Sequence, residues 1–443
     1  MTKQSSAREI ALDVLLEVQE EGRPSHVVLK QALDKYRYLE KQDRAFVTRL
    51  AEGTLEYELQ LDEILNRYSK IKVSKMKPLI RALLRMSVYQ LLYMERVPDP
   101  AVCNEAVGLA RKRRFEGLSG FVNGVLRTIS REKEDIAFSE PWLAYSIPEW
   151  MLSMWEHTYG KETAKRIAAS FLEGRPLTVR CNESLAPVSH IRGELEAQGI
   201  AARSHPFGEG LLELSGYDAP DGIGEFANGH VAIQDPASAL VGRIASPAAG
   251  SFVLDVCAAP GGKALHAADL LAGTGMVEAR DLTEYKVSLI EENRARCGFL
   301  NLRTALWDAV KFDPELLERA DIVLADLPCS GLGIIGKKPD IKRRIQETDL
   351  AELAALQRQI LKTVWQYVRP GGLLLYSTCT ISRQENEDNA AWIAETLPFE
   401  KRALGPLLPE CIRGKAKENC LQLLPGREPC DGFFIAAFTR KRI

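Results

Sequence analysis

Apolar residues recur at helical spacing from the start of the chain to about residue 135, and no strand-like alternation interrupts them. Ile80, Leu83, Leu84, Val88, Leu91 and Leu92 form one stripe, while Arg81, Arg85 and Gln90 fall elsewhere on the same wheel. Pro78 suits the first turn of that helix, and Pro98 and Pro100 lie past its end. The pattern predicts an all-helical domain over 1–135, closed by the charged stretch 130–135. Over 140–245 the signals mix. Thr178-Val179-Arg180 and Leu211-Leu212-Glu213-Leu214 read as strands, 191–198 as helix and 216–224 as turn, which gives a small α+β region.

From residue 246 to 443 short apolar runs alternate with helical stretches. Strands are expected over 252–256, 276–279, 302–306, 322–325 and 373–376, with helices after Gly261-Gly262 and over 284–297. Alternation of this kind builds a parallel sheet covered on both faces. The end differs, because 421–424 and 433–438 are joined by turn residues and read as an antiparallel pair at the sheet edge. The expected architecture is therefore multidomain: helical, then small α+β, then α/β.

Composition narrows the class without naming it. The chain is 46% apolar and 27% charged, which is ordinary for a globular protein and too long for one core at 443 residues. The first ten residues hold no apolar segment of signal-peptide length, and no run of about 18 apolar residues suggests a membrane span. Nine scattered cysteines with no CxxC pair argue against a disulfide framework or structural zinc, so reduced thiols in the cytoplasm and no metal are expected. The net charge of −2 hides local asymmetry. Arg67, Lys70, Lys72, Lys75, Lys77, Arg81 and Arg85 occur with no acidic residue among them, and Arg111-Lys112-Arg113-Arg114 follows in the same helical region. Clusters of this kind neutralise phosphates, so contact with nucleic acid is expected there.

Three segments carry the chemistry. The stretch Leu254-Asp255-Val256-Cys257-Ala258-Ala259-Pro260-Gly261-Gly262-Lys263 closes a strand and opens a helix, a place where glycines let a ligand approach the backbone. It is neither a dinucleotide fingerprint nor a phosphate-binding P-loop. Carboxylates recur at the next strand ends, Asp281 and Asp308, and an acidic residue after the second strand commonly accepts hydrogen bonds from ribose hydroxyls. Asp326-Leu327-Pro328-Cys329-Ser330 and Ser377-Thr378-Cys379-Thr380 each put a cysteine just beyond an apolar strand. Two thiols on the strand-end face of a cofactor-binding sheet suit covalent chemistry on an electron-poor ring. A single free cysteine is usually a small buried residue; two in parallel positions reverse that expectation. Ser382-Arg383-Gln384-Glu385 fits a capping box, so a helix is expected to begin close behind Cys379 and to favour its thiolate, with Glu385, Glu387 and Asp388 opposing in part. Position alone does not separate the roles of the two cysteines. Lys337, Lys338, Lys342, Arg343 and Arg344, just after the Cys329 motif, are expected to hold backbone phosphates.

These segments resemble the S-adenosylmethionine-dependent RNA cytosine-5 methyltransferase family. The likeness continues through Lys338-Pro339-Asp340-Ile341-Lys342 and Asp431-Gly432-Phe433-Phe434, and the helical domain looks like the NusB-type RNA-binding fold. It implies a NusB-like domain over 1–135, a small RNA-recognition region over 140–245 and a Rossmann-like class I methyltransferase domain over 246–443. It further implies that Asp255 and the loop Cys257, Ala258, Ala259, Pro260, Gly261 and Gly262 hold the methionine part of S-adenosyl-L-methionine. Asp281 is then expected on the ribose, Asp308 beside the adenine, and Asp326 near the cofactor amine and the target base. Cys379 is implied as nucleophile, Cys329 as the thiol that assists product release, and Lys263 as a hydrogen-bonding group near the base. Ala264, Leu327 and Trp307 stand where the family usually has Ser or Thr, a small residue and glycine. The implied substrate is a cytosine of 16S ribosomal RNA, the one conventionally numbered 967, in free RNA or an early assembly intermediate. No membrane and no stable protein partner are implied.

Three other readings compete. A DNA cytosine methyltransferase leaves Cys379 and the helical domain without a purpose. A non-catalytic RNA-binding or assembly protein has no need of Cys379, Cys329, Asp326 and Lys263 together. A transfer RNA methyltransferase would share the same core.

Overall fold

The computed structural model describes residues 5–442, and the chain divides into two compact units. One comprises Met1–Glu173 with Ile335–Ile345, the other Gly174–Ile334 with Gln346–Ile443.

The first unit is helical, as the periodicity predicts. Ala7–Glu21 starts at Ser6, whose hydroxyl accepts from the Glu9 N–H at 3.3 Å, the expected N-cap bond. Ala7–Glu21, Lys41–Glu56, Glu58–Tyr68, Asp99–Lys112 and Ser119–Glu132 pack around Pro78–Tyr93, and Ser25–Lys35 lies against the first two. This central helix begins with its proline in the first turn. It is buried almost all round, so two polar residues off the apolar stripe are buried as well: Arg85 and Gln90 are 4% and 1% exposed. Arg85 forms two parallel 2.6 Å hydrogen bonds to Asp62 and lies 3.0 Å from Glu58, while Gln90 accepts from Arg8 at 2.8 Å. A buried cation needs such partners.

The basic clusters are correspondingly thinner than the sequence suggested. Arg81 pairs with Glu20, and Lys112 and Arg113 pair with Glu9. Lys70, Lys72, Lys75 and Lys77 remain exposed. The segment 335–345 belongs to this unit and needs a larger correction. Lys342 donates to the carbonyls of Glu56 and of Ser146, the latter at 2.8 Å, and burial pushes its pKa down to about 8. Arg343 donates to Glu58 and to the Gln19 carbonyl, and Arg344 to Asp340 at 3.0 Å. Lys342 and Arg343 satisfy carbonyls and a carboxylate inside the unit rather than standing out for phosphates.

The second unit holds two sheets. The smaller is antiparallel, in the order β2-β3-β1-β4, from β1 (Leu177–Cys181), β2 (Ala201–His205), β3 (Gly208–Ser215) and β4 (Val231–Ile233). Helix Val188–Ala197 covers it through Ile191 and Leu195, as the mixed pattern anticipated. The larger sheet uses β5 (Phe252–Asp255), β6 (Met276–Asp281), β7 (Leu302–Leu306), β8 (Ala320–Asp326), β9 (Val368–Thr378), β10 (Phe399–Lys401), β11 (Cys420–Leu423) and β12 (Phe433–Arg440). Its order is β10-β12-β9-β8-β5-β6-β7, with β11 also on β12. β5 to β9 are parallel and β12 runs antiparallel to β9, which confirms the α/β sheet with an antiparallel border. Alternate residues feed two cores: Val253, Leu324, Leu375 and Ile435 on one face, Leu254, Val323, Leu374 and Phe434 on the other. The chain reverses its direction of strand addition between β5 and β8, and ligands of open sheets bind outside the carboxyl ends at such a switch.

A buried ion pair fastens the small sheet to this framework. Arg180 on β1 lies 3.1 Å from Asp269 on helix Gly262–Leu271, and both side chains are at most 4% exposed. Asp269 also accepts from the Ser184 N–H and hydroxyl at 2.9 and 2.6 Å. Asp269→Ala strands the guanidinium and is expected to cost about 3–5 kcal/mol of unfolding free energy in urea titration. A loss below about 1 kcal/mol would make the pair dispensable.

Candidate active site

Asp255 ends β5 with 1% exposure, and neither of its carboxylate oxygens completes a hydrogen bond. Burial, and then the nearby Asp326 carboxylate, push its pKa up to about 7. The Lys263 ammonium and the Cys257 amide oppose that shift without cancelling it. Behind Asp255 the chain turns through Gly261 at φ +107°, a left-handed value that suits glycine, and a cis Ala259–Pro260 bond precedes it. The loop is held from below: the Ala258 N–H donates to the Arg280 carbonyl at 2.9 Å and the Ala259 N–H to Asp281 at 3.0 Å.

Asp281 closes β6, 3% exposed, and also accepts from the Leu282 N–H at 2.8 Å and from Lys286 at 2.9 Å. Leu282 beside it is 59% exposed, a bare apolar surface next to buried carboxylates. Asp308, beyond β7, accepts from the Val310 N–H at 3.2 Å and sits 3.9 Å from Lys311. It stays with its own loop, where the Arg280 guanidinium lies 4.8 Å from the Trp307 ring centre.

Across the switch point, Asp326 ends β8 opposite Ser377 of β9. One oxygen accepts from Lys263 at 2.6 Å and the other from the Ser377 hydroxyl at 2.7 Å. Burial works against the Lys263 charge, but Asp326, with Asp255 behind it, outweighs burial and leaves the lysine pKa raised. The ammonium also stands 5.2 Å from the centre of the Phe433 ring, which brings the Asp431-Gly432-Phe433-Phe434 stretch into the site.

The two cysteines meet. Their Sγ atoms are 3.3 Å apart, each half-buried, one in the loop after β8 and one in the loop after β9. The Gly333 N–H donates to the Cys379 carbonyl at 3.1 Å, and a Cβ on Gly333 would lie 2.1 Å from the Gly432 carbonyl, so only glycine fits that crossing. Sharing its proton with Cys379, together with burial, raises the Cys329 pKa well above the ordinary thiol value.

The expected helix start behind Cys379 is displaced. The helix runs Glu387–Thr396, and its N-cap Asn386 makes no side-chain cap bond. No capping box forms, because Glu385 turns back and accepts from the Ser330 N–H at 2.9 Å, the Ser330 hydroxyl and Gln357 at 3.0 Å. Ser330 and Thr380, the residues after the two cysteines, have their hydroxyl oxygens 2.7 Å apart. Sequence reasoning missed Ser330, Thr380, Glu385 and Gln357 as site residues. The available signal was the hydroxyl residue following each cysteine.

The residues present fit S-adenosylmethionine. A buried carboxylate without a partner suits a cationic amine, the glycine turn leaves room for close approach, and Asp281 beside exposed Leu282 offers hydroxyl acceptors next to an apolar face.

Comparison with known proteins agrees. Residues 243–439 match the family described as 16S rRNA methyltransferase RsmB/F, residues 5–131 the NusB family, and residues 147–217 the ferredoxin-like domain of RsmF/B-like methyltransferases. The fold of NSun6 from Pyrococcus horikoshii, solved with SFG, covers 67% of this chain and 99% of that one at TM-score 0.60 and 20% identity. The crystal structure of PH0851 covers 99% of this chain and all of its own at TM-score 0.83 and 25% identity. Among curated proteins, the probable ribosomal RNA small subunit methyltransferase B of Bacillus subtilis is 38% identical over 99% of this chain and 100% of its own length. Its Klebsiella pneumoniae counterpart is 30% identical over the whole of both. At that similarity along its full length, the chain belongs to the S-adenosylmethionine-dependent 16S ribosomal RNA methyltransferase family RsmB/F.

Proposed function

We propose that this protein methylates carbon 5 of a cytosine in 16S ribosomal RNA, the one conventionally numbered 967, through a covalent adduct between Cys379 and carbon 6. The observation that carries this reading is the 3.3 Å approach of Cys329 and Cys379 beside the 2.6 Å Lys263–Asp326 pair. Carbon 5 of cytosine is a poor nucleophile. Addition of a thiolate at carbon 6 turns the ring into an enamine-like species, and loss of the carbon 5 proton after methylation expels the sulfur again.

Cys379 is the attacking sulfur in this scheme. Cys329, whose proton is held tightly and shared with its neighbour, keeps a thiol at hand for release of the product. Asp326 and Lys263 face the base as a hydrogen-bonding pair, with Lys263 held by the Asp326 carboxylate and the Phe433 ring. Asp255 with the loop from Cys257 to Gly262 receives the methionine part of the cofactor, Asp281 the ribose and Asp308 the adenine side. When bound, S-adenosylmethionine supplies an electrophilic methyl group. The target base must leave its stack to reach sulfur atoms at this depth.

The three segments 1–135, 140–245 and 246–443 then divide the work, the first two adding RNA affinity to the third. Exposed Lys70, Lys72, Lys75 and Lys77 suit phosphate contact in the first. The RNA is taken free or in an early assembly intermediate, without a stable protein partner.

Bisulfite sequencing of ribosomal and transfer RNA, from cells with and without the gene, tests substrate and chemistry together. One 5-methylcytosine lost from 16S RNA is the expected result. A site lost from transfer RNA instead would keep the mechanism and replace the substrate, and no loss anywhere would favour an assembly protein.

A further inference from the structure

The site contains one buried acid that the scheme above leaves without work. Glu385 is 0% exposed, and its hydrogen bonds come from neutral groups: the Ser330 N–H and hydroxyl, Gln357, and the Thr380 hydroxyl. Burial raises its pKa, and these donors oppose the rise. Around it the contacts converge on the two cysteine loops. Gln357 also donates to the carbonyl of Pro328, just before Cys329, at 2.9 Å. Ser330, just after Cys329, meets the hydroxyl of Thr380, just after Cys379, at 2.7 Å. The Tyr376 hydroxyl donates to the Glu385 carbonyl and to Gln357 at 3.0 Å, and Asn389 donates to Gln357 at 2.8 Å. One carboxylate thus ties the loop after β8 to the loop after β9 on both sides of the sulfur pair.

We infer that Glu385 is a positioning residue that clamps the two cysteine loops together and assigns the proton of the pair to Cys329, leaving Cys379 as the attacking sulfur. The inference rests on the cytosine-5 reading for its consequence in catalysis, but not for its effect on the thiols. Geometry makes it specific: the carboxylate takes both the N–H and the hydroxyl of the residue next to Cys329, whereas beside Cys379 it meets only the Thr380 hydroxyl, itself 2.7 Å from that of Ser330. A negative charge so close disfavours a thiolate on Cys329. The other titratable groups acting on Cys329 are Cys379 and Asp326, with Lys263 paired to Asp326 and Tyr376 packed behind; Glu385 and Asp326 both raise its pKa.

The test compares wild type with Glu385→Gln in the full chain. Glutamine keeps the shape and can still accept from the Ser330 N–H, but it carries no charge. Alkylation of each cysteine by iodoacetamide, followed by peptide mass mapping from about pH 6 to about pH 10, needs neither RNA nor cofactor. The Cys329 profile is expected to move to lower pH in the variant. Methyl turnover is expected to fall ~10–100-fold, through loss of alignment, with KM for RNA changed less than ~2-fold. Ser330→Ala removes the hydroxyl link and keeps the carboxylate, so it should lose turnover without the full shift of the alkylation profile. If Glu385→Gln does not fold, Ser330→Ala decides through turnover and KM alone. An unmoved Cys329 profile in folded Glu385→Gln, or unchanged turnover in Ser330→Ala, overturns the inference. Wild-type protein that makes no 5-methylcytosine sinks the cytosine-5 reading instead, and the alkylation shift would still stand.

Discussion

Cys379→Ala is expected to abolish methyl transfer, by ~10³-fold or more, and to form no denaturation-resistant complex with RNA, because it removes the only atom proposed to bond carbon 6. Cys329→Ala is expected to do the opposite with respect to trapping. It retains the attacking sulfur, so the adduct forms, but release is slowed and a covalent protein–RNA band accumulates in denaturing electrophoresis. Both sulfurs are half-buried and 3.3 Å apart, so either truncation vacates similar space and should perturb folding to a similar, small degree. The contrast between the two variants therefore reports chemistry. It follows from an asymmetry in the surroundings. Cys329 lies beside the residue that Glu385 grips, and its proton is held more firmly than in an ordinary thiol. A covalent band with Cys379→Ala alone would reverse the assignment, and no band with either would remove the adduct.

Much of this molecule could be read from its sequence where local pattern and burial agree. Strands β5, β8 and β9 are apolar on both faces, so their identity did not depend on partners distant in the chain. Strands with a weaker signature escaped: β2 is mostly exposed, and β10 has three residues with only Phe399 buried. Asp255, Asp281, Asp326, Cys329 and Cys379 lie at neighbouring strand ends, because a parallel sheet delivers every carboxyl end to one side, while Asp308 stays with its own loop. What the pattern could not show was the use of polar side chains by partners far along the chain. Arg85 looked like a surface cation until Asp62 and Glu58 closed on it. Lys342 looked like a phosphate ligand, yet it satisfies carbonyls at Glu56 and Ser146. Glu385 sat at the third position of a plausible capping box, and the stronger claim on its carboxylate came from Ser330, 55 residues earlier. In each case a buried polar group found the partner that burial demands, and such partners are fixed by tertiary structure.

Asp255→Asn is expected to weaken binding of S-adenosylhomocysteine ~10–100-fold while making the empty protein more stable at neutral and alkaline pH. Both effects come from one fact: the carboxylate is buried without a completed hydrogen bond. Its pKa stands near 7 in the folded chain against an ordinary 3.8, so between those values the folded state binds a proton that the unfolded state has lost. Unfolding free energy must then fall as pH rises through that window, by on the order of 4 kcal/mol for this group alone. Below it the group is protonated in both states and the effect vanishes. Asparagine cannot ionise, so the variant loses this slope and exceeds wild type in stability above about pH 7. Ligand should act in the same direction on wild type only. A cationic amine opposite the carboxylate favours its charged form, so wild-type affinity is expected to drop as pH falls below about 7, while the variant stays flat. Calorimetric titration and thermal melts across pH measure both quantities on the same samples. Equal affinities in the two proteins would remove Asp255 from the cofactor site. Equal pH slopes of stability would mean that its charge is already satisfied in the empty protein.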